Sequence, residues 1–161
     1  MRGVVTWVIA GCFSLSVQAA SPPPSNGITL PRTYKHWQLI GVSHRDDNAS
    51  LRAIVGNTTA LSAARKGRTD PWPDGTILGK LVWKDQRHPF WQPAIVPGQE
   101  SHIEFMIKDS KKYRDTGGWG FARWVGMELK ALNNDGGKPC FECHKAAAKT
   151  DYVFTRPAPL P

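Results

Sequence analysis

Cysteine is scarce in this chain, with three in 161 residues, and two of those stand close together near the C-terminus as Cys140 and Cys143. That leaves no spare pair for a structural disulfide, so the fold must rely on its hydrophobic core or on a bound group. Long apolar runs are equally few. The N-terminal stretch from Val4 to Val17 is the one candidate, and nothing after it is long enough to cross a bilayer. There is no internal repeat. Charge of one sign is not gathered in a block either, although the chain carries a net +8. A basic surface spread in this way can steer acidic redox partners or anionic surfaces, but it does not point to nucleic acid.

What is present begins with an export signal over residues 1–19. Arg2 supplies the positive charge, the apolar run follows, and Val17-Gln18-Ala19 reads as a small-residue cleavage site. The segment is too short and too poorly flanked for a stable membrane span. Ile9-Ala10-Gly11-Cys12 also fits a lipoprotein box, which would leave a lipidated Cys12, but Phe13 to Val17 stays apolar where a lipoprotein turns polar. Cleavage after Ala19 removes Arg2 and Cys12, so one positive charge goes and the mature chain carries +7 and two cysteines. The expected location is the periplasm. Residues 20–30 read as a Pro/Ser-rich linker, 31–155 as one domain and 156–161 as a Pro-rich tail.

Within the domain, short apolar runs bounded by turn formers predict strands at Trp37 to Val42, Leu51 to Val55 and Thr76 to Lys84. Ile103, Phe105 and Ile107 alternate with polar residues in the clearest strand, His102 to Lys108, and Gly118 to Val125 alternates likewise. Glycines weaken a strand unless something flat must approach its backbone, which here means a cofactor face or an aromatic ring. Thr58 or Thr59 can cap a helix running through Lys66, with Gly67 to end it, and Cys143 to Lys149 has good helix propensity. The expected fold class is α+β, a mainly antiparallel β-sheet with a few short helices and a flat cofactor packed against the sheet.

That cofactor is read from Cys140-Phe141-Glu142-Cys143-His144. Two thiols at this spacing can form two thioethers to haem vinyl groups, and the histidine that follows can place its imidazole beneath the iron. Structural zinc would need four ligands; a second cysteine pair is absent, though His36, His44, His88 or His102 could complete a site. A thioredoxin-like dithiol would need a βαβ setting. With the export signal, covalent haem is the favoured reading, with one haem c and His144 as its metal ligand. For the sixth position the mature chain offers only Met106, on the wetter strand face, and Met127, after a glycine in a loop. An open distal site is therefore expected rather than the methionine-ligated site of a simple electron-transfer cytochrome. Arg52 and Arg123 lie in apolar strands, where a haem propionate, a bound ligand or a surface salt bridge would compensate their charge. Lys80 sits mid-strand between Leu78 and Val82, either snorkelling or held as a nucleophilic amine against the cofactor.

Taken in order, Asp74 to Lys80, Lys108 to Tyr113, Gly118 to Phe121, the Cys-x-x-Cys-His run and Lys149 to Thr155 resemble the cytochrome P-460 family, and the likeness spans about Pro31 to Thr155. The resemblance implies an exported, single-haem, largely β protein, typically a homodimer, with five-coordinate haem open on the distal side. Hydroxylamine-oxidising members carry a lysine cross-linked to the porphyrin, at the position of Lys80. They convert hydroxylamine with nitric oxide to nitrous oxide; for this chain the expected electron partner is a small redox cytochrome. Arg52 aligns with a distal-pocket arginine, and the distal carboxylate is expected before the haem motif, at Asp135 or Glu128. The related cytochromes c′-beta keep the fold without the cross-link and bind nitric oxide or carbon monoxide.

Overall fold

The computed structural model describes residues 24–132 and 135–159. The expected export signal, with Cys12 in it, lies outside the described residues. Six strands form one antiparallel meander in sequence order: β1 (Gln38–Arg45), β2 (Ser50–Gly56), β3 (Ile77–Arg87), β4 (Ile95–Lys108), β5 (Trp119–Val125) and β6 (Lys130–Leu132). Among the described residues, two helices, α1 (Thr58–Arg65) and α2 (Lys138–His144), and several 3-10 turns accompany the sheet. The α+β architecture expected from the sequence is the one observed, because period-2 alternation in β3, β4 and β5 gives each strand two different faces.

One face carries Ile103 and Phe105 of β4 and Ala122 and Trp124 of β5, all buried. It is closed by Ile28 and by Tyr34 from the 3-10 turn Arg32–His36. Phe105 anchors this layer, edge-on to Trp124, Tyr34 and Trp37 with ring centroids 5.5, 5.6 and 6.0 Å away. Burying such a ring stabilises the fold by about 1.5–3 kcal/mol, with edge-to-face contacts adding to it. Packing starts earlier than the expected linker boundary: Asn26 donates to the carbonyls of Phe121 (2.7 Å) and Gly136 (3.2 Å). The stretch from Pro24 thus ties β5 to the loop before α2.

The other face carries Ile40, Ile54, Leu78, Trp119 and Phe121, covered by α1, Trp72, Val153 and the inner side of α2. Helix α1 is capped by Asn57 and not by the threonines that follow it. The Asn57 side chain accepts from Ala60 N (3.0 Å) and from Ile77 N (3.1 Å), so one amide starts the helix and binds it to β3. The flat group at the β5 glycine is protein and not cofactor. A Cβ on Gly120 would lie 2.5 Å from the Tyr113 ring, which only glycine lets approach. The helix expected from Cys143 instead begins at Lys138, with Pro139 in its first turn, and gives way after His144 to a 3-10 turn, Lys145–Thr150.

Candidate haem site

Strand register explains how scattered residues come together. Ile54 pairs with Lys80, Lys80 with Glu104, and Glu104 with Arg123, so these four form one row across β2 to β5. One rung along, Arg52 pairs with Val82 and Val82 with His102; one rung the other way, Leu78 pairs with Met106 and Met106 with Phe121. All lie on the face that α2 covers, since residues opposite each other in an antiparallel pair share a face.

Glu104 is the centre of the row. Its carboxylate is ion-paired with Lys80 Nζ and with the Arg123 guanidinium, whose Nε donates at 2.6 Å, and His102 Nε2 lies 3.4 Å away. The side chain is only 16% exposed. Burial by itself pushes this carboxyl up, but His102, Lys80 and Arg123 together outweigh burial and hold it well below the usual carboxylate range. Because the folded value is depressed below the unfolded one, about 4.3, its stability contribution is complete above that pH and is lost as the pH falls through the folded value. Melting temperature should therefore drop more steeply below about pH 4.3 in the wild type than in Glu104→Gln. Equal acid limbs would remove Glu104 from the acid-labile groups.

His144 ends α2 with its ring between two aromatic neighbours, Phe121 and Phe154, each 5.1 Å from it between centroids. Its Nδ1 donates to the Tyr152 carbonyl at 2.6 Å, which leaves Nε2 as the nitrogen able to bind a metal. Burial, helped by the Lys80 ammonium, lowers its pKa against the opposing pull of the Tyr152 hydrogen bond and Glu104. The neutral imidazole that results is the form that ligates iron. Phe121, whose ring lies 5.1 Å from the imidazole, pairs with Met106 one rung from Glu104, so the strand row and the end of the helix lie side by side.

The residues present fit a haem. Cys140 and Cys143 lie one turn apart on α2, directly before His144. Phe154, beside the imidazole, is 56% exposed, an apolar surface of the kind a porphyrin covers. Arg52 Nε is buried on the same face without a hydrogen-bond partner, although its Nη2 donates to Ser50 Oγ at 3.0 Å. Burial and the Arg45 guanidinium both weigh against the Arg52 charge, which an anionic propionate or ligand would offset. Among the described residues no group of three or more His, Cys, Asp or Glu side chains converges, so the two thiols lack the further ligands structural zinc requires. A cavity of about 510 Å³ lined by Thr58, Thr59, Ser62 and Arg68 lies beside α1 and shares none of these residues.

The other sequence-derived candidates lie apart from the row. Glu128 is exposed in the β5–β6 turn, where it pairs with Lys130 at 3.0 Å, and Asp135 is exposed just before α2. Met127 is 84% exposed in the same turn as Glu128, whereas Met106 packs into the apolar layer under α2. Glu104 is the carboxylate that sequence reasoning missed. The signal was there in the two cations, since Lys80 and Arg123 each stand inside an apolar strand and Glu104 is the acid in the strand between them.

An antiparallel sheet with a histidine-terminated Cys-x-x-Cys helix on one face defines a haem-binding cytochrome. Residues 31–155 match the family described as Cytochrome P460, and the chain belongs to that family. Among curated proteins there is no match. No helix among the described residues is long and apolar enough to cross a membrane.

Proposed function

We propose that this is a periplasmic monohaem cytochrome, its haem held covalently by Cys140 and Cys143 and ligated by His144, that binds hydroxylamine or nitric oxide on the open side and oxidises the former. The observation that carries this reading is Glu104, an ionised carboxylate held among three cationic or basic side chains on the face of His144. Iron in the bound haem supplies a Lewis acid and an electron acceptor. The chain's own residues supply the rest. Glu104 accepts a proton from hydroxylamine, Arg123 and His102 keep that carboxylate in place, and Arg52 orients an anionic or polar ligand. Electrons leave to a small redox cytochrome, for which the net positive charge favours an acidic partner. A homodimer is the proposed assembly.

One observation favours a second reading. Lys80 Nζ is ion-paired with Glu104, and a lysine that kept this partner in the holoprotein would be free of the porphyrin, as in a c′-beta-like gas binder. The ferrous spectrum of the holoprotein separates the two. A strongly red-shifted Soret band that Lys80→Ala abolishes indicates the cross-link, and pigment unchanged by that substitution rejects it. A low-spin six-coordinate spectrum in both oxidation states would sink the open site.

A further inference from the structure

Two more charges are buried outside the row. Lys108, at the end of β4, and Asp151, just after the 3-10 turn that follows α2, are 6% and 8% exposed. Lys108 Nζ donates to both Asp151 oxygens, at 2.7 and 2.9 Å, and to the Gly117 carbonyl at 3.2 Å, with the Trp119 ring 5.0 Å away. Asp151 Oδ2 also accepts from Trp72 N at 2.9 Å. The ammonium has three acceptors and the carboxylate three bonds. Burying such a pair gives little stability over apolar residues of the same volume, so stability alone does not account for it.

The pair's nearest consequence is backbone conformation. Asp151 and Tyr152 are consecutive non-glycine residues with φ of 49° and 63°, where an L side chain crowds the following carbonyl. Such strain persists only where the surroundings over-determine it. The ion pair fixes Asp151. Gly117 fixes Tyr152, because its missing side chain makes room for the tyrosine ring; a Cβ there would lie 2.3 Å from it. Bonds from Tyr152 N to Ala147 O (2.8 Å) and from Val153 N to Thr150 O (3.1 Å) close the turn. The product of this turn is the aim of one carbonyl, that of Tyr152, at His144 Nδ1.

We infer that Lys108 and Asp151 are positioning residues for the axial histidine: by holding the left-handed turn they present the Tyr152 carbonyl that orients the His144 ring and raises its basicity toward iron. This rests on the haem reading above. A hydrogen bond to the outer nitrogen of a ligating histidine sets its tautomer and donor strength, and the axial ligand in turn sets the reduction potential. Slackening the turn therefore weakens the iron–histidine bond and raises the potential.

The test compares two holoproteins that both lose the ion pair and the acceptor for Trp72 N. Lys108→Met/Asp151→Leu puts a residue at 151 that resists positive φ; Lys108→Met/Asp151→Gly puts one that adopts it freely. The ferrous iron–histidine stretching band, read by resonance Raman, should move to lower wavenumber and the midpoint potential should rise in the leucine variant, with both returning toward wild type in the glycine variant. Wild-type band and potential in the leucine variant would overturn the inference, as would equal shifts in both. If the leucine variant does not accumulate as holoprotein, Asp151→Asn gives the same readout with a weakened pair, and an unchanged band again overturns it. A wild-type chain whose intact mass shows no attached haem would overturn the cofactor reading itself, a result distinct from attached haem with an unmoved band.

Discussion

Cys140→Ala/Cys143→Ala, co-expressed in the periplasm with haem-maturation machinery, is expected to yield a chain whose intact mass carries no haem, while the wild type carries one. Each single variant should retain haem through the remaining thioether. The loss reaches beyond the pigment, because α2 (Lys138–His144) has only seven residues and a helix of two turns is marginal by itself. Its protein contacts are modest: Phe141 stands 6.3 Å from Phe121 and 5.3 Å from Tyr152 between ring centroids. A group that binds only the folded state adds to stability, and one attached to α2 and seated against the sheet joins the two. The double variant should therefore melt well below the holoprotein, by more than two exposed or half-buried thiols could explain, with the loss concentrated in amide protection from Lys138 to Val153. A wild-type chain without haem mass, or a double variant that still carries it, would reject covalent attachment through these two residues.

The central strands were legible because alternation is a local property: Ile103, Phe105 and Ile107 announce a face with no knowledge of what covers it. The first half of β4, from Ile95, was not, since Pro97 and Gly98 break the pattern that the β3 register restores. The cap at Asn57, one or two positions before the threonines that the sequence offers, is not legible because Asn57 serves two elements at once, and only the fold brings Ile77 N to it. The haem motif was readable because its chemistry is contiguous. Glu104 was not, because its meaning depends on Lys80 and Arg123, 24 and 19 positions away, arriving opposite it in register. Asp151 is a sharper case: its partner Lys108 is 43 positions distant, and nothing local announces two consecutive left-handed residues without glycine.

Glu104→Gln is expected to lower hydroxylamine turnover by about 10²–10⁴-fold, the usual worth of a positioned proton acceptor, while leaving haem attachment and binding of carbon monoxide to the ferrous protein intact. Glutamine keeps the volume and one acceptor oxygen but cannot take the proton. A carboxylate held well below its usual range is a poor base, because proton transfer is most effective when donor and acceptor affinities are matched. That depression comes from the His102 hydrogen bond, the Lys80 ammonium and Arg123 acting against burial, and removing a neighbouring positive charge raises a carboxyl pKa. A lysine nitrogen bonded to a porphyrin carbon would no longer carry that charge. Cross-linking Lys80 would thus do two things at once: alter the pigment and raise the proton affinity of Glu104, still steadied by His102 and Arg123. The sign is testable without relying on the bond, since Lys80→Met removes the same charge. If Glu104 is the acceptor and Lys80 keeps its charge, the acid limb of the turnover profile moves to higher pH in Lys80→Met; where the bond has already removed that charge the limb stays in place, and in either case it disappears in Glu104→Gln. Turnover in Glu104→Gln within a few-fold of wild type would shift the role to another group and leave the row of Lys80, Glu104 and Arg123 as scaffolding for a gas-binding site.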